Sequence, residues 1–168
     1  MTAEDQAHGL VLASLNRAAK DVERRMDNFV RPLKLTFSRI IALLNLAIAD
    51  HPLTPSELGE RLVVTRGNMT GIIDGLVKDG LVQRVPRKDD RRTHDLELTS
   101  RGAKFIEGYL PYHLQAIAGL SAGLTLAEAA QLTELLGKLR NGMRSPEALK
   151  PRQLPPVRRA KSLPERGE

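Results

Sequence analysis

Arg66, Asn68 and Thr70 stand close together in an amphipathic run, and Arg87, Lys88, Arg91 and Arg92 crowd a polar stretch at residues 86–93 that also carries Asp90. A guanidinium or a carboxamide can form two parallel hydrogen bonds to a planar edge, and clustered cations attract fixed negative charge. The other residues that could do chemistry exclude more than they offer. Cysteine is absent, so no disulfide, thiolate metal site, cysteine nucleophile or thiol redox sensor can be built. His8, His51, His94 and His113 show no metal-ligand spacing, no Ser-His-Asp arrangement suggests itself, and no glycine loop follows a strand. Neither an enzyme nor a cofactor or metal site is expected. The 26 lysines and arginines exceed the acids by six, a balance that favours a polyanionic partner.

The elements that would position these groups follow from periodicity and capping. Leu12, Leu15, Ala19, Val22, Met26 and Phe29 recur at 3-4 spacing, the seam of a long helix that wants a partner. Thr36 can cap a second helix whose Ile40, Ile41, Leu43, Leu44 and Ala47 read as buried nearly all round. Thr54-Pro55-Ser56-Glu57 is a capping box with proline at the first helical position, opening a short helix to Leu62. After a tight turn at Val63-Val64, Thr65 can cap a helix to about Asp79 with Met69, Ile72, Ile73 and Leu76 inward, and Gly80 ends it. Leu81 to Val85 and His94 to Leu98 then alternate as two strands around the charged loop.

Two short helices joined by a tight turn and followed by such a hairpin make a winged helix-turn-helix. Thr99 can cap a further helix through Phe105, Ile106 and Tyr109, which Pro111 would kink before Leu114 and Ile117. Thr125-Leu126-Ala127-Glu128 is a second capping box, opening a helix with Ala129, Leu132, Leu136 and Leu139 at 3-4 spacing. The fold class is therefore mainly α with a small β-hairpin wing. The wing arginines suit a narrow minor groove, whose negative potential attracts them; a merely solvated basic turn is the plain alternative. On the outward side of the Thr65-capped helix lie Arg66, Gly67, Thr70, Gly71, Asp74, Gly75 and Lys78. Three glycines there need a reason, either close approach to a groove wall or close packing on a neighbouring helix. Arg66 and Asn68 are the candidate readers of base edges and Thr70 suits a phosphate, whereas Thr65 reads first as a cap. Asp74 would repel phosphate and is expected at the margin of contact or paired with a basic side chain.

The stretch from Val64 to Leu76, then Gly80-Leu81-Val82, Asp89-Asp90-Arg91-Arg92 and Leu96-Glu97-Leu98-Thr99-Ser100-Arg101-Gly102 resembles the multiple-antibiotic-resistance-regulator (MarR) type of bacterial transcription factor, over most of residues 10 to 140. The resemblance implies an obligate homodimer on a near-palindromic operator in double-stranded DNA, acting as a repressor and released by a small phenolic or aromatic acid. It places Arg92 in the minor groove with Asp90 as its orienting carboxylate. It also puts an effector site between the dimerisation helices and the winged helix, where Phe37, Arg39, Asn45, His51 and Tyr112 would line it.

The expected division is an N-terminal dimerisation helix at residues 1–35, the DNA-binding winged helix-turn-helix at 36–104, C-terminal dimerisation helices at 105–143, and a disordered basic tail at 144–168. The seams at Leu12, Leu15, Ala19 and Val22 and at Ala129, Leu132, Leu136 and Leu139 are the candidate interface, with an intrachain bundle as rival. The tail holds 7 basic and 3 acidic residues and five of the ten prolines, which suits sequence-blind phosphate contact or no role at all. With no long apolar run and no signal peptide, a cytoplasmic protein without a membrane segment is expected. The rival function is a winged helix used for protein contacts or non-specific nucleic-acid binding.

Overall fold

The structure, a computed structural model, describes residues 2–87 and 94–145. The chain divides into two compact units, residues 1–121 and 122–168.

In the first unit, helix α1 (Ala3–Val30) begins well before the seam at Leu12, because Thr2 and Asp5 form a capping box that the sequence reading did not use. Only Met26 and Val30 of α1 are buried, and Leu12 is 52% exposed. Pro32 opens a short 3-10 turn, Arg31–Leu33, after which Lys34 takes a left-handed conformation. Helix α2 (Phe37–Ala47) is capped by Thr36 as expected. Its burial is narrower than the sequence suggests: Ile40, Ala42 and Leu43 are buried, Ile41 and Leu44 half-buried, and Ala47 exposed. Leu44 and Leu46 still pack against the core, so the last turn of α2 is open only on the side of Ala47.

Helix α3 (Pro55–Leu62) starts at the Thr54/Glu57 box, in which each residue's side chain binds the other's backbone N–H, at 2.7 and 3.3 Å. Val63 ends α3 in the left-handed region (φ 54°), and the Val64 N–H returns to the Gly59 carbonyl at 3.2 Å. Thr65 caps helix α4 (Arg66–Lys78), whose Met69, Ile72, Ile73 and Leu76 are all buried. Gly80 follows at φ 68°, the conformation glycine supplies most cheaply.

Strands β1 (Val82–Pro86) and β2 (His94–Leu98) pair antiparallel with Val82 opposite Leu98, one residue later in β1 than the alternation predicts. Leu96 of β2 also bridges on its other side to Leu53, donating its N–H to the Leu53 carbonyl at 2.8 Å. Leu53 is thus fully buried and ties the wing to the helix-turn-helix. One core joins all these elements: Val30, Leu43, Leu53, Leu58, Leu76, Leu96, Ile106 and Tyr109 among others. Each such side chain contributes about 1.5–3 kcal/mol by leaving water.

The joint between β2 and helix α5 (Ser100–Ser121) gives the Leu-Thr-x-x-Gly pattern a structural cause. Thr99 donates its hydroxyl to the Gly80 carbonyl at 2.7 Å and accepts from the Gly102 N–H at 3.0 Å, while its own N–H reaches the Leu81 carbonyl. A Cβ on Gly102 would collide with that same Leu81 carbonyl. Helix α5 continues past Pro111, although proline removes one backbone donor.

In the second unit, helix α6 (Leu126–Met143) opens at the Thr125/Glu128 box and buries none of its residues. Ala129, Leu136 and Leu139 are half-buried and Leu132 is exposed. Among the described residues no helix is long and apolar enough to cross a membrane.

Candidate nucleic-acid interface

Helix α4 turns its buried stripe into the core and leaves Arg66, Gly67, Asn68, Thr70, Gly71, Asp74 and Lys78 exposed on the other side. Thr65 accepts the Asn68 N–H, so its side chain serves the helix cap. Thr70 donates its hydroxyl back to the Arg66 carbonyl at 3.1 Å, which uses the proton a phosphate contact would need until the side chain rotates.

The three outward glycines divide. Nothing lies within 4 Å of a Cβ built on Gly67 or Gly71, so both face open space. A Cβ on Gly75 would instead strike the guanidinium of Arg39, which reaches across from α2 to pair with Asp79 at 3.2 Å. Glycine costs a helix about 0.5–1 kcal/mol relative to alanine, and at position 75 packing within the chain explains it. The outward side of α4 is therefore covered at Gly75, so two glycines of the three lie open.

Asp74 is paired, one of the two placements expected of it. Its carboxylate takes a hydrogen bond of 2.5 Å from Arg84 on β1. Arg84 was not among the candidates, since alternation marks it only as the solvent side of a strand. Here it joins the wing's first strand to the exposed face of α4. Gln83 and Glu97 pair across the strands at 3.2 Å, and Arg87 faces Asp95 at 3.9 Å where the strands end. Lys88, Asp90, Arg91 and Arg92 lie outside the described residues, as does most of the tail.

The five candidate effector-site residues are engaged separately. Phe37 is half-buried and its backbone N–H donates to Asp27 of α1 at 2.6 Å. Arg39 is held by Asp79, Asn45 donates to the Ile41 carbonyl within its own helix, and His51 pairs with exposed Asp50. Tyr112 is exposed on α5.

Two features escaped the sequence reading besides Arg84. Phe105, Tyr109 and His113 stack at successive four-residue steps of α5, with ring centroids 5.9 and 5.6 Å apart. His113 is buried, its Nδ1 lies 3.4 Å from the Tyr109 hydroxyl, and burial pushes its pKa below the ordinary histidine value. The seams, by contrast, lie open: Leu12, Ala19, Val22 and Leu132 are exposed and Leu15 half-buried.

The sequence profile of the MarR family matches residues 33–93, from the turn before α2 through β1 and up to the start of β2. The HTH-type transcriptional repressor YetL of Bacillus subtilis is 32% identical over 127 residues, covering 75% of this chain and 76% of that protein. The chain belongs to the MarR family. Among solved members, a mutant MarR from Escherichia coli complexed with operator DNA superposes with a TM-score of 0.71 at 27% identity, over 83% of this chain and 99% of that one. Sco3205 from Streptomyces coelicolor, in complex with DNA, gives 0.75 at 26% identity, over 88% and 93%. The winged helix flanked by terminal helices is thus the family architecture, and the relatives are named as transcriptional regulators and not as enzymes.

Proposed function

We propose that this chain is a DNA-binding transcriptional regulator that acts as a homodimer on a pseudo-palindromic duplex site, most simply as a repressor in the cytoplasm. The observation that carries this reading is the exposed face of α4, with the Arg66 and Asn68 side chains turned to solvent and Gly67 and Gly71 open to close approach, in a fold whose relatives are seen on DNA. Arg66 and Asn68 read base edges in the major groove by paired hydrogen bonds. Gly67 and Gly71 let the helix backbone approach the groove wall, and Lys78 meets a phosphate. Arg87, Lys88, Arg91 and Arg92 bind the flanking minor groove and backbone, with Asp90 holding Arg92. Two copies joined through the α1 and α6 seams set the half-sites about 34–36 Å apart. An acidic effector at Arg39 would have to displace Asp79.

Titration of the full chain with random duplex, single strand and genomic fragments across salt tests this reading. Preference for particular duplex fragments, with affinity falling steeply as salt rises, is expected. A strictly monomeric protein, or one without a salt slope on any oligonucleotide, overturns it in favour of protein contacts.

A further inference from the structure

Arg39, Gly75 and Asp79 form one assembly behind the exposed face of α4. Arg39 sits in the first turn of α2, its backbone N–H donating to the capping Thr36 hydroxyl, so the root of the side chain is fixed. Its guanidinium crosses α4 where Gly75 has no side chain and ends on the Asp79 carboxylate at the helix C-cap. The three atoms nearest to a Cβ at Gly75 all belong to the guanidinium group of Arg39. The missing side chain is therefore fitted to this arginine. A cation at this end also suits the negative pole of the helix.

We propose that Arg39 is a positioning residue that sets the rotation of α4 about its own axis, and so the placement of Arg66 and Asn68 on bases. The inference rests on reading α4 as the helix that enters DNA. Met69, Ile72, Ile73 and Leu76 hold α4 in the core, but apolar contact is non-directional and tolerates repacking. A planar fork seated in a glycine notch and hydrogen-bonded at its tip is directional. Bidentate base contacts tolerate misplacement of only about 0.5 Å, so a slight turn of α4 costs recognition before it costs folding. Arg39 and Asp79 are both partly exposed, which keeps the pair's share of stability small.

The test is a double-mutant cycle on the full chain with Arg39→Ala, Gly75→Ala and both together. Fluorescence titrations use one genomic fragment preferred by the wild type and a random-sequence duplex, beside thermal melts. Each single change should weaken the preferred fragment by about five- to tenfold, and the double no further, because each removes the same clamp. Affinity for random duplex should hold, and Gly75→Ala should melt no lower than wild type, since alanine suits a helix better. Wild-type affinity in Arg39→Ala overturns the proposal. Additive losses in the double overturn it too, by placing Gly75 against DNA, and an equal loss on random duplex would mark general damage and count against it. A wild type that prefers no fragment overturns the DNA reading first and this inference with it.

Discussion

The winged-helix body and the terminal helices both carry leucine, isoleucine and valine but use them differently. In the body, Ile40, Leu43, Leu53, Leu58, Leu76 and Leu96 are withdrawn from water completely or nearly so. Along α1 before Met26, Leu10, Val11, Leu12 and Val22 stay exposed, and α6 leaves Leu126, Leu132 and Leu135 exposed. The body closes its core within one chain. Helices that carry apolar stripes without covering them offer a surface to a partner, which in the proposed homodimer would be the same stripes of a second copy.

That contrast breaks most directly at Leu43 and Leu12. Leu43→Ala should cost about 2–5 kcal/mol in denaturant unfolding at any protein concentration, because it leaves a cavity in a closed core. Leu12→Ala should change the intrachain stability by less than about 0.5 kcal/mol while raising the dimer dissociation constant in sedimentation. Equal, concentration-independent losses would place the α1 seam inside the monomer. Next in size is the wing: Arg92→Ala should lower duplex affinity about 10- to 100-fold with the dimer intact, whereas a charge at Leu132 should weaken the dimer and DNA binding together. Unchanged affinity in Arg92→Ala would remove the wing from the mechanism.

What the sequence disclosed and what it withheld follow one physical division. Thr36, Thr54, Thr65 and Thr125 act on N–H groups three residues away, and Met69, Ile72, Ile73 and Leu76 repeat at helical spacing, so local chemistry announces them. Leu53 on Leu96, Arg39 over Gly75 and Arg84 on Asp74 are contacts between elements, and no spacing along the chain encodes them. Gly75 shows the limit well. Its cost in a helix was visible, but which neighbour needed the space depended on where α2 lies. The turn at Val63-Val64 is legible from the helices on either side of it and not from Val63 itself, since valine is a poor residue for a left-handed turn.

Val63 gives a smaller prediction within the body. It is β-branched, sits at φ 54° and is 81% exposed, so it bears backbone strain without burying a side chain in return. Val63→Asn should raise the unfolding free energy by about 1 kcal/mol, seen as a higher denaturant midpoint, and leave duplex affinity unchanged. A midpoint at or below wild type would mean that the turn is not strained by its side chain.

The finest test lies where body and terminal seam meet on α5. His113 is the last buried residue of that helix, followed by exposed Leu114, Ile117 and Leu120. Burial depresses its pKa, so just below the ordinary histidine value the unfolded chain takes a proton that the folded chain refuses. Stability from this residue is therefore complete above the ordinary value and drains away as pH falls through the depressed one. The urea midpoint should drop between about pH 7.5 and 5.5 in the wild type and drop less in His113→Gln. Asp5, Glu57 and Glu128 are held below the usual carboxylate range by hydrogen bonds from Thr2, Thr54 and Thr125, so their loss comes at lower pH and equally in both proteins. If the two proteins trace the same curve, His113 is solvated in solution and the body ends nearer to Tyr109.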